Sequence, residues 1–534
     1  MALLVGNAPW PGEEADLRLV VADHLGVSPE QVTEARLVKR SLDARHGRQV
    51  WRAVYRVEAG DAAGILAKGV ASVRAWTERD QRRYGLADWT PARPDWGDLR
   101  PVVVGAGPAG LFAALYLAES GAPVVLLERG EPVEDRVRTV NANWRGKAPL
   151  DPESNVVFGE GGAGTFSDGK IYTRRRDGDL GYVFRRLVDF GADPSVLEES
   201  WAHLGTDKVR AILPRFRARL QELGVKIRFR ARVVDLRVEA GRCTGVVIEG
   251  GEVLAGHPVI VATGHSARDS GEMLRRAGAR ATARPVAVGA RIEHPQALID
   301  TARYGERGDL PAATYRLSYN REGGRKAHTF CMCPGGMVVP ATNHPARVVV
   351  NGMSFAARRA FWANSAVIVE VRPEDYGSED PLAGYAWQDA IERACFEAAG
   401  GDYRAPAQRV VDLLAGRPSV DLPRTSYPQG VTPVDLRTVL PPFVMEGMIA
   451  AIRHFEREIP GFAGPEAVLI APETRTTSPV RFERDEHGCA TAVDDLYPAG
   501  EGAGYGGGIV SCALDGFRIA RHLASQRPAI ASER

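Results

Sequence analysis

One stretch of the chain, residues 99–130, constrains the fold more than any other. It reads LRPVVVGAGPAGLFAALYLAESGAPVVLLERG, in which an apolar run meets a glycine-rich turn at Gly105, Gly107 and Gly110. A helical apolar segment, a second apolar run and Glu128 follow. This order of strand, turn, helix, strand and acid is the fingerprint of a dinucleotide-binding βαβ unit. Glycine lets the backbone approach a pyrophosphate, the helix N-terminus supplies N–H groups, and the carboxylate accepts a ribose hydroxyl.

Length and composition limit the number of domains and the class of protein. At about 150 residues per domain, 534 residues predict two to four domains. Hydrophobic residues make up 44% and charged residues 25%, as in a soluble globular protein. The net charge of +1 gives no electrostatic argument for nucleic acid or an anionic membrane, so a small-molecule partner is expected.

The N-terminus and the cysteines predict a cytoplasmic protein. MALLVGNAPWPGEEAD has no basic start and only a short apolar patch, unlike a signal peptide. No apolar run is long enough to cross a bilayer, so no membrane partner is expected. Six cysteines lack a framework spacing apart from one Cys-x-Cys, as expected where thiols stay reduced.

Residues 1–95 predict a small α+β domain before the nucleotide fold. Segments near 34–42 and 49–58 have the alternation of strands, and residues 28–31, Ser-Pro-Glu-Gln, are typical of a capped helix start. The Pro-rich segment 90–98 predicts a linker.

Residues 158–174, FGEGGAGTFSDGKIYTR, are too glycine-rich for a helix or a regular strand. Such a segment either forms a loop or lays backbone N–H groups against a ligand, because glycine has no side chain to hold a cofactor away. With a dinucleotide site upstream, the ligand-binding interpretation is favoured.

Between about 291 and 460 the pattern changes to strands with helical insertions. Residues 328–340 and 347–354 predict two strands, and helices are expected near 384–399 and 443–455. We therefore expect three domains: α+β at 1–95, a discontinuous Rossmann-like domain at 98–290 and 460–534, and an inserted mixed-β substrate domain at 291–459. The fold class is α/β.

The C-terminal residues 496–524 contain a short strand, a second glycine-rich turn from Gly500 to Gly508 and an apolar helix. This turn offers a second helix N-terminus to a phosphate-bearing ligand. One fingerprint near the start and one glycine turn near the end indicate a single extended cofactor held by both parts of the chain.

That arrangement resembles the FAD-binding fold of the glutathione-reductase structural class. Glu501 stands where that class usually has Asp near the ribityl chain, and VIVATG at 259–264 matches its third motif. The resemblance implies FAD. Because no second fingerprint occurs in a strand–helix context, NAD(P)H is expected only as a transient electron donor. The residues expected to bind the cofactor are Gly105, Gly107, Pro108, Ala109, Gly110, Glu128, Arg129, Gly161, Gly162, Gly164, Thr165, Val233, Thr263, Gly264, Gly500, Glu501, Gly507, Gly508 and Ile509.

Six motifs in order extend the resemblance over nearly the whole chain: GEGGAGTFSDGKIYTR, GARIEHP, FCMCPGG, NGMS, ETRTTSPVR and YPAGEGAGYGGGI. Together they are similar to a family of largely uncharacterised bacterial FAD-dependent dehydrogenases with a ferredoxin-like N-terminal extension. The family implies FAD binding and a discontinuous FAD domain, but no particular substrate. Cys512 departs from the small residue usual there and is interpreted as packing.

Three charged residues are candidates for catalysis. Asp168, Lys170 and Tyr172 are two positions apart, so in an extended segment they share a face. Lys170 would stabilise negative charge on the reduced flavin, and Asp168 or Tyr172 would exchange protons with the substrate. A salt-linked turn is the structural alternative. Arg475 is expected to bind a substrate carboxylate in a fork geometry, with an exposed ion pair as the alternative. His265 follows the third motif as a base or a helix cap.

Cys331 and Cys333 invite a redox hypothesis. In an extended strand, residues two apart lie about 6.6 Å from each other along the chain, too far for a disulfide. Two packed thiols are the favoured interpretation, and no metal site is expected because only His328 lies near enough to help.

These observations predict a flavoenzyme that moves two electrons between FAD and a small organic molecule. A monooxygenase or oxidase that uses O2 is the alternative within enzymes. Outside that class, the alternatives are a flavin-dependent RNA-modifying protein, with the basic residues 174–176 as a local patch, and an electron-transfer protein whose N-terminal domain docks a redox partner.

Overall fold

A computed structural model describes residues 1–43, 50–173, 177–320 and 323–526. The chain divides into two compact units. The N-terminal unit comprises Met1–Thr90 and Lys170–His203, and the large unit comprises Pro91–Gly169 and Leu204–Arg534. No helix of the described residues is both long enough and apolar enough to span a membrane.

The α-helices of the described residues are α1 (Leu17–Leu25), α2 (Ala62–Ala67), α3 (Glu78–Arg83), α4 (Pro108–Glu119), α5 (Val133–Trp144), α6 (Leu180–Asp189), α7 (Thr206–Glu222), α8 (Arg268–Arg276), α9 (Gln296–Tyr304), α10 (Ala383–Ala398), α11 (Val410–Leu414), α12 (Pro442–Glu458) and α13 (Ile509–Ser525). Short 3₁₀ turns occur at Pro29–Gln31, Gly162–Phe166, Pro194–Leu197, Pro373–Tyr376 and Leu436–Thr438.

The strands of the described residues are β1 (Ala2–Pro9), β2 (Val32–Asp43), β3 (Val50–Ala59), β4 (Val73–Ala75), β5 (Val102–Val104), β6 (Val125–Leu127), β7 (Lys226–Arg228), β8 (Val233–Glu239), β9 (Arg242–Ile248), β10 (Val253–Ala255), β11 (Val259–Val261), β12 (Ala281–Ala283), β13 (Val286–Pro295), β14 (Ser318–Tyr319), β15 (Ala327–Pro340), β16 (Val350–Ser354), β17 (Trp362–Val371), β18 (Ala405–Arg409), β19 (Val431–Pro433), β20 (Val468–Glu473), β21 (Val480–Phe482) and β22 (Leu496–Pro498).

The N-terminal unit begins with a four-stranded antiparallel sheet in the order β2-β3-β1-β4. With α1 and α2 this gives the βαββαβ order of the ferredoxin-like arrangement. The predicted strands near 34–42 and 49–58 are confirmed as β2 and β3. The capped start predicted at residues 28–31 is confirmed, with Ser28 at the N-cap and Gln31 completing a capping box. The helix is limited to one 3₁₀ turn, because β2 begins directly at the β-branched Val32.

Residues 170–203 belong to the N-terminal unit, although the sequence pattern predicts them within 98–290. Helix α6 packs against the end of α3, where a Cβ at Gly181 would lie 1.9 Å from the carbonyl oxygen of Arg82. Arg82 also pairs with Asp179 at 2.6 Å. These contacts depend on tertiary packing, for which the local sequence carries no signal.

The large unit contains a five-stranded parallel sheet in the order β22-β11-β5-β6-β7. Strand β22, from the end of the chain, lies beside β11, and β5 follows β11 in the sheet. Helices α4 and α13 pack so closely that a Cβ at Gly516 would lie 1.9 Å from the carbonyl oxygen of Ala109. The predicted discontinuous Rossmann-like fold is therefore confirmed.

A second, mixed sheet of the large unit has the strand order β14-β15-β17-β13-β20-β18-β19, with β16 paired to β15. The predicted strands at 328–340 and 347–354 are confirmed as the antiparallel pair β15 and β16. The predicted helices are confirmed as α10 and α12. Because β13 and β20 belong to this sheet, it starts before residue 291 and extends past residue 459.

Candidate functional site

The glycine turn after β5 lies against the turn after β11. Gly105 has a φ of +104°, and a Cβ there would lie 2.5 Å from the carbonyl oxygen of Ala262. A Cβ at Gly110 would lie 1.8 Å from the carbonyl oxygen of Gly105. Both positions therefore require glycine, which fixes the start of α4 close to the end of the parallel sheet.

Three further turns predicted from the sequence lie close by. A Cβ at Gly162 would lie 3.2 Å from the Cα atom of Gly107, and one at Gly502 would lie 2.6 Å from the carbonyl oxygen of Gly264. A Cβ at Gly164 would lie 3.1 Å from the side chain of Ile509. We call the space bounded by residues 105–110, 161–165, 263–264 and 500–509 the glycine site.

Two parts of the glycine site are open. A Cβ built at Gly264, Gly507 or Gly508 would meet no atom of the described residues within 4 Å. Gly508 precedes the first residue of α13, and Gly107 precedes the first residue of α4. Two helix N-termini, the positive ends of the helix dipoles, therefore border the glycine site.

Glu128 follows β6 and is 5% exposed. Its carboxylate accepts hydrogen bonds from the backbone N–H groups of Ala106 at 2.7 Å, Gly130 at 2.9 Å and Gly159 at 3.0 Å. A carboxylate accepts about four hydrogen bonds, so one position is left for a ribose hydroxyl. The side chain thus joins the first glycine turn to residue 159, a role that sequence spacing did not predict.

The remaining predicted cofactor residues also make contacts within the protein. Arg129 pairs with Glu153 at 2.6 Å and with Asp269 at 3.1 Å. The hydroxyl of Thr165 donates to the carbonyl oxygen of Glu160 at 2.9 Å. Val233 pairs with Ile248 in the β8–β9 ladder and lies in the apolar core.

Glu501 and His265 meet at the edge of the glycine site. The Oε2 atom of Glu501 lies 3.4 Å from Nδ1 of His265, and the two side chains are 17% and 16% exposed. The sequence motifs single out each residue separately, but their pairing depends on the approach of the turns at 264 and 502.

Arg475 is buried, and its guanidinium group is hydrogen-bonded to other side chains of the protein. Its Nε and Nη2 atoms donate to the carboxylate of Glu392 at 2.9 and 2.7 Å, and Nη1 contacts Asn343. Arg268 donates to the same carboxylate at 2.7 Å. Burial acts to raise the pKa of Glu392, but the charges of Arg475 and Arg268 outweigh it and hold that pKa below its usual range. The ion pair is therefore buried, not exposed as the sequence-based alternative assumed.

Ser266 connects this buried cluster to the third cofactor motif. It follows His265 directly, and its carbonyl oxygen accepts a hydrogen bond from Nδ2 of Asn343 at 3.3 Å. Its Oγ atom is buried and has no hydrogen-bond partner among the described residues. An unsatisfied buried hydroxyl is costly, so it is a position where a ligand atom would be stabilised.

Asp168 and Lys170 fall in different units. Asp168 is 1% exposed and its carboxylate contacts the hydroxyl of Ser354 and, at 3.7 Å, the guanidinium of Arg358. Lys170 forms a β-bridge with His203 inside the N-terminal unit. The basic residues 174–176 lie outside the described residues.

Cys331 and Cys333 lie in an irregular part of β15. The register to β17 shifts on both sides of Cys333, and Cys331 has a φ of +46°, so the regular strand assumed from the sequence is wrong here. The fully buried Arg291 donates to the carbonyl oxygen of Cys331 at 3.1 Å and to Glu473 at 2.6 Å. Among the described residues, no group of three or more His, Cys, Asp or Glu side chains is arranged to hold a metal.

Cys512 lies in α13 beneath the second glycine turn. It is 7% exposed, and burial raises the pKa of its thiol well above the usual range. The thiol is therefore neutral, in keeping with a packing role.

The parallel sheet and the glycine site define a dinucleotide-binding protein of the α/β class, and comparisons with known families agree. Residues 100–143 match a family described as FAD binding domain, and residues 202–318 match one described as FAD dependent oxidoreductase. Residues 285–476 match the family FAD-dependent protein, C-terminal domain-like, and residues 9–59 match a domain of unknown function.

An uncharacterized protein of Clostridium beijerinckii is 37% identical over 522 residues, which are 94% of this chain and 94% of the relative. The chain belongs to the FAD-dependent oxidoreductase family, together with this clostridial protein. At this level the resemblance indicated by the sequence motifs is confirmed.

Likenesses among solved structures are more distant. Flavin-dependent brominase Bmp2 is similar over 81% of this chain and 81% of its own, with 12% identity and a TM-score of 0.37. A geranylgeranyl bacteriochlorophyll reductase-like protein of Thermoplasma acidophilum is similar over 80% of this chain and 78% of its own, with 12% identity and a TM-score of 0.34. Scores this low carry no argument about the reaction.

The glycine site fits the FAD that the family implies. Its two helix N-termini suit the negative charge of a pyrophosphate, and Glu128 retains one acceptor position for a ribose hydroxyl. The open positions at Gly264, Gly507 and Gly508 are where any side chain would occupy the space of a ligand. The residues present therefore agree with the cofactor.

Proposed function

We propose that this protein catalyses a two-electron dehydrogenation, or the reverse reduction, of a small organic molecule. The proposal depends on one observation. Ser266 follows the third cofactor motif and contacts Asn343, which belongs to the buried polar cluster of Arg475 and Glu392, so the glycine site continues into that cluster. A bound FAD would supply the electron-accepting and electron-donating chemistry there, and the protein would supply position and electrostatics.

Different residues of the chain would bind different parts of the cofactor. The N-terminus of α4 and Glu128 would hold the adenosine and pyrophosphate end, and the N-terminus of α13 would face the second phosphate. Residues 161–165 would lie along the middle of the cofactor, because glycine at 162 and 164 lets this turn approach Gly107 and Ile509, which border the same site.

Glu501 and His265 are proposed to hold a proton between them at the edge of the glycine site. Their 3.4 Å separation allows one proton to be shared between Nδ1 and the carboxylate. Their partial exposure gives that proton a route to solvent.

The buried Arg475 is proposed to act through Asn343 and Ser266. Because Glu392 engages the fork of Arg475, a substrate carboxylate would share Arg475 with that side chain or displace it. The simpler role for Arg475 is to orient Asn343, which in turn holds the backbone of Ser266. The Ser266 hydroxyl would then be free to bond a ligand oxygen or nitrogen.

Asp168 and Lys170 remain proposed catalytic residues. The contact with Ser354 gives the Asp168 carboxylate a hydroxyl with which to share a proton. Lys170 would contribute positive charge. NAD(P)H is proposed as a transient electron donor, and the N-terminal unit as a place where a redox partner docks.

Anaerobic titration of the purified protein tests the reaction class. NADH, NADPH and a panel of hydroxy acids, amino acids and unsaturated acids are each added while the visible absorbance of the oxidised flavin is followed. We expect at least one compound to bleach the absorbance stoichiometrically, and Ser266→Ala to slow that bleaching. Bleaching only by NAD(P)H, followed in air by oxygen incorporation into an added substrate, would instead establish a monooxygenase and contradict the proposal.

A further inference from the structure

The N-terminal unit contains a cleft that the cofactor site does not use. It is lined by residues of β2, the end of α3, the segment 172–173, α6 and the segment 197–200, all of which belong to this unit. The cleft opens to solvent, so a ligand bound there would remain partly exposed.

Two cationic side chains line the cleft, Lys39 of β2 and Arg83 of α3. Neither forms an ion pair or a side-chain hydrogen bond with a described residue, whereas the one acidic residue in the lining, Glu199, is paired with Arg40 at 3.4 Å. The cleft therefore carries positive charge that its own acidic residue does not fully neutralise. A bound anion would compensate that charge.

The environment of Lys39 makes an anion especially favourable. Burial, reinforced by the charge of Arg83, lowers the pKa of Lys39 to about 8, while Glu198 and Glu199 act in the opposite direction. Among the described residues, the other titratable side chains of the lining are Tyr84 and Tyr172. The ammonium is thus charged at neutral pH at an energetic cost that a negative ligand would relieve.

Three aromatic side chains also line the cleft, those of Tyr84, Tyr172 and Phe184. Lys39 Nζ lies 5.5 Å from the ring centre of Phe184, and the guanidinium of Arg83 lies 5.3 Å from that of Tyr84. Tyr172 is held edge-on by Trp201, with ring centres 4.5 Å apart. Rings placed beside cations provide a surface for a planar group next to a site for its negative charge.

We propose that this cleft binds a nucleotide, with its phosphates on Lys39 and Arg83 and its base against the aromatic side chains. Lysine and arginine recognise phosphate oxygens, and aromatic faces bind bases by stacking irrespective of their identity. The binding is independent of the reaction proposed for the large unit.

Calorimetric titration of the FAD-loaded full-length protein tests the proposal, since loading with FAD prevents the probe from entering the glycine site. ADP and pyrophosphate are the probes. We expect saturable binding of ADP that is tighter than that of pyrophosphate, and at least tenfold weaker ADP binding in each of Lys39→Gln and Arg83→Gln. Arg36→Gln removes the same charge from an exposed position on β2 outside the lining and should leave the affinity unchanged.

The pH dependence gives a second readout that a folding defect would not mimic. Wild-type affinity for ADP should fall as the pH rises through about 8, the pKa of Lys39, whereas Lys39→Arg should retain its affinity to higher pH. The proposal is overturned if the wild type shows no saturable ADP binding, if both charge-removing variants bind ADP as the wild type does, or if pyrophosphate binds as tightly as ADP. The last result would define a phosphate site without a base.

Discussion

The substitution Gly507→Val should weaken binding of the cofactor without affecting folding of the protein. Gly507 lies in the second glycine turn with an ordinary φ, and a Cβ there would meet no atom of the described residues within 4 Å. The ligand-free protein therefore has room for a side chain to begin at this position. Because the proposed position of FAD takes up the same space, valine and cofactor would compete for it.

The expected magnitude follows from the cost of overpacking. Inserting extra methyl groups into an occupied space costs about 1–3 kcal/mol, and each 1.4 kcal/mol changes an equilibrium constant about tenfold. The dissociation constant for FAD should therefore rise by about 5-fold to 150-fold. The free energy of unfolding of the apoprotein should change by less than about 0.5 kcal/mol, as for an exposed substitution.

Fluorescence titration of the deflavinated protein with FAD measures the first quantity, and urea denaturation of the apoprotein measures the second. Gly60→Val is the matched control, because Gly60 is also exposed, has an ordinary φ and faces open space, but lies in the N-terminal unit. It should change neither quantity. FAD affinity in Gly507→Val equal to that of the wild type would refute the position assigned to the cofactor.

Two further predictions concern stability. Glu392→Gln leaves the buried Arg475 and Arg268 without their shared carboxylate, so the free energy of unfolding measured in urea should fall by about 3–5 kcal/mol. The control Glu397→Gln changes an exposed residue of the same helix and should have almost no effect. Equal effects of the two substitutions would contradict this role of Glu392. Burial lowers the pKa of His294 to about 4, so the folded protein disfavours protonation of this ring. The free energy of unfolding should therefore be highest above about pH 6.5 and should fall by about 3 kcal/mol as the pH decreases towards 4. His294→Gln should remove that part of the pH dependence of unfolding, and an unchanged pH profile would show that His294 is not its source.

The parts of the fold that could be predicted from the sequence are those with local causes. The close approaches at Gly105 and Gly110 require glycine, and such requirements are visible as spacing within one βαβ unit. The hairpin of β15 and β16 was predictable because each strand has its own apolar pattern and turn residues lie between them.

The parts that could not be predicted depend on residues distant in the chain. Glu392 and Arg475 are 83 positions apart, and nothing near either residue identifies its partner. The three backbone donors to Glu128 likewise depend on where residues 106 and 159 come to lie. The sequence therefore predicts the cofactor-binding turns well and the buried polar cluster beside them poorly.

The flavin content of the purified protein tests directly whether the glycine site holds FAD. Heat or acid denaturation, followed by chromatography of the released small molecules, measures that content. We expect one FAD per chain, since both glycine turns border one site, and a yellow protein before denaturation. A colourless protein that releases no flavin, and that does not bind added FAD, would contradict the assignment of the glycine site to this cofactor.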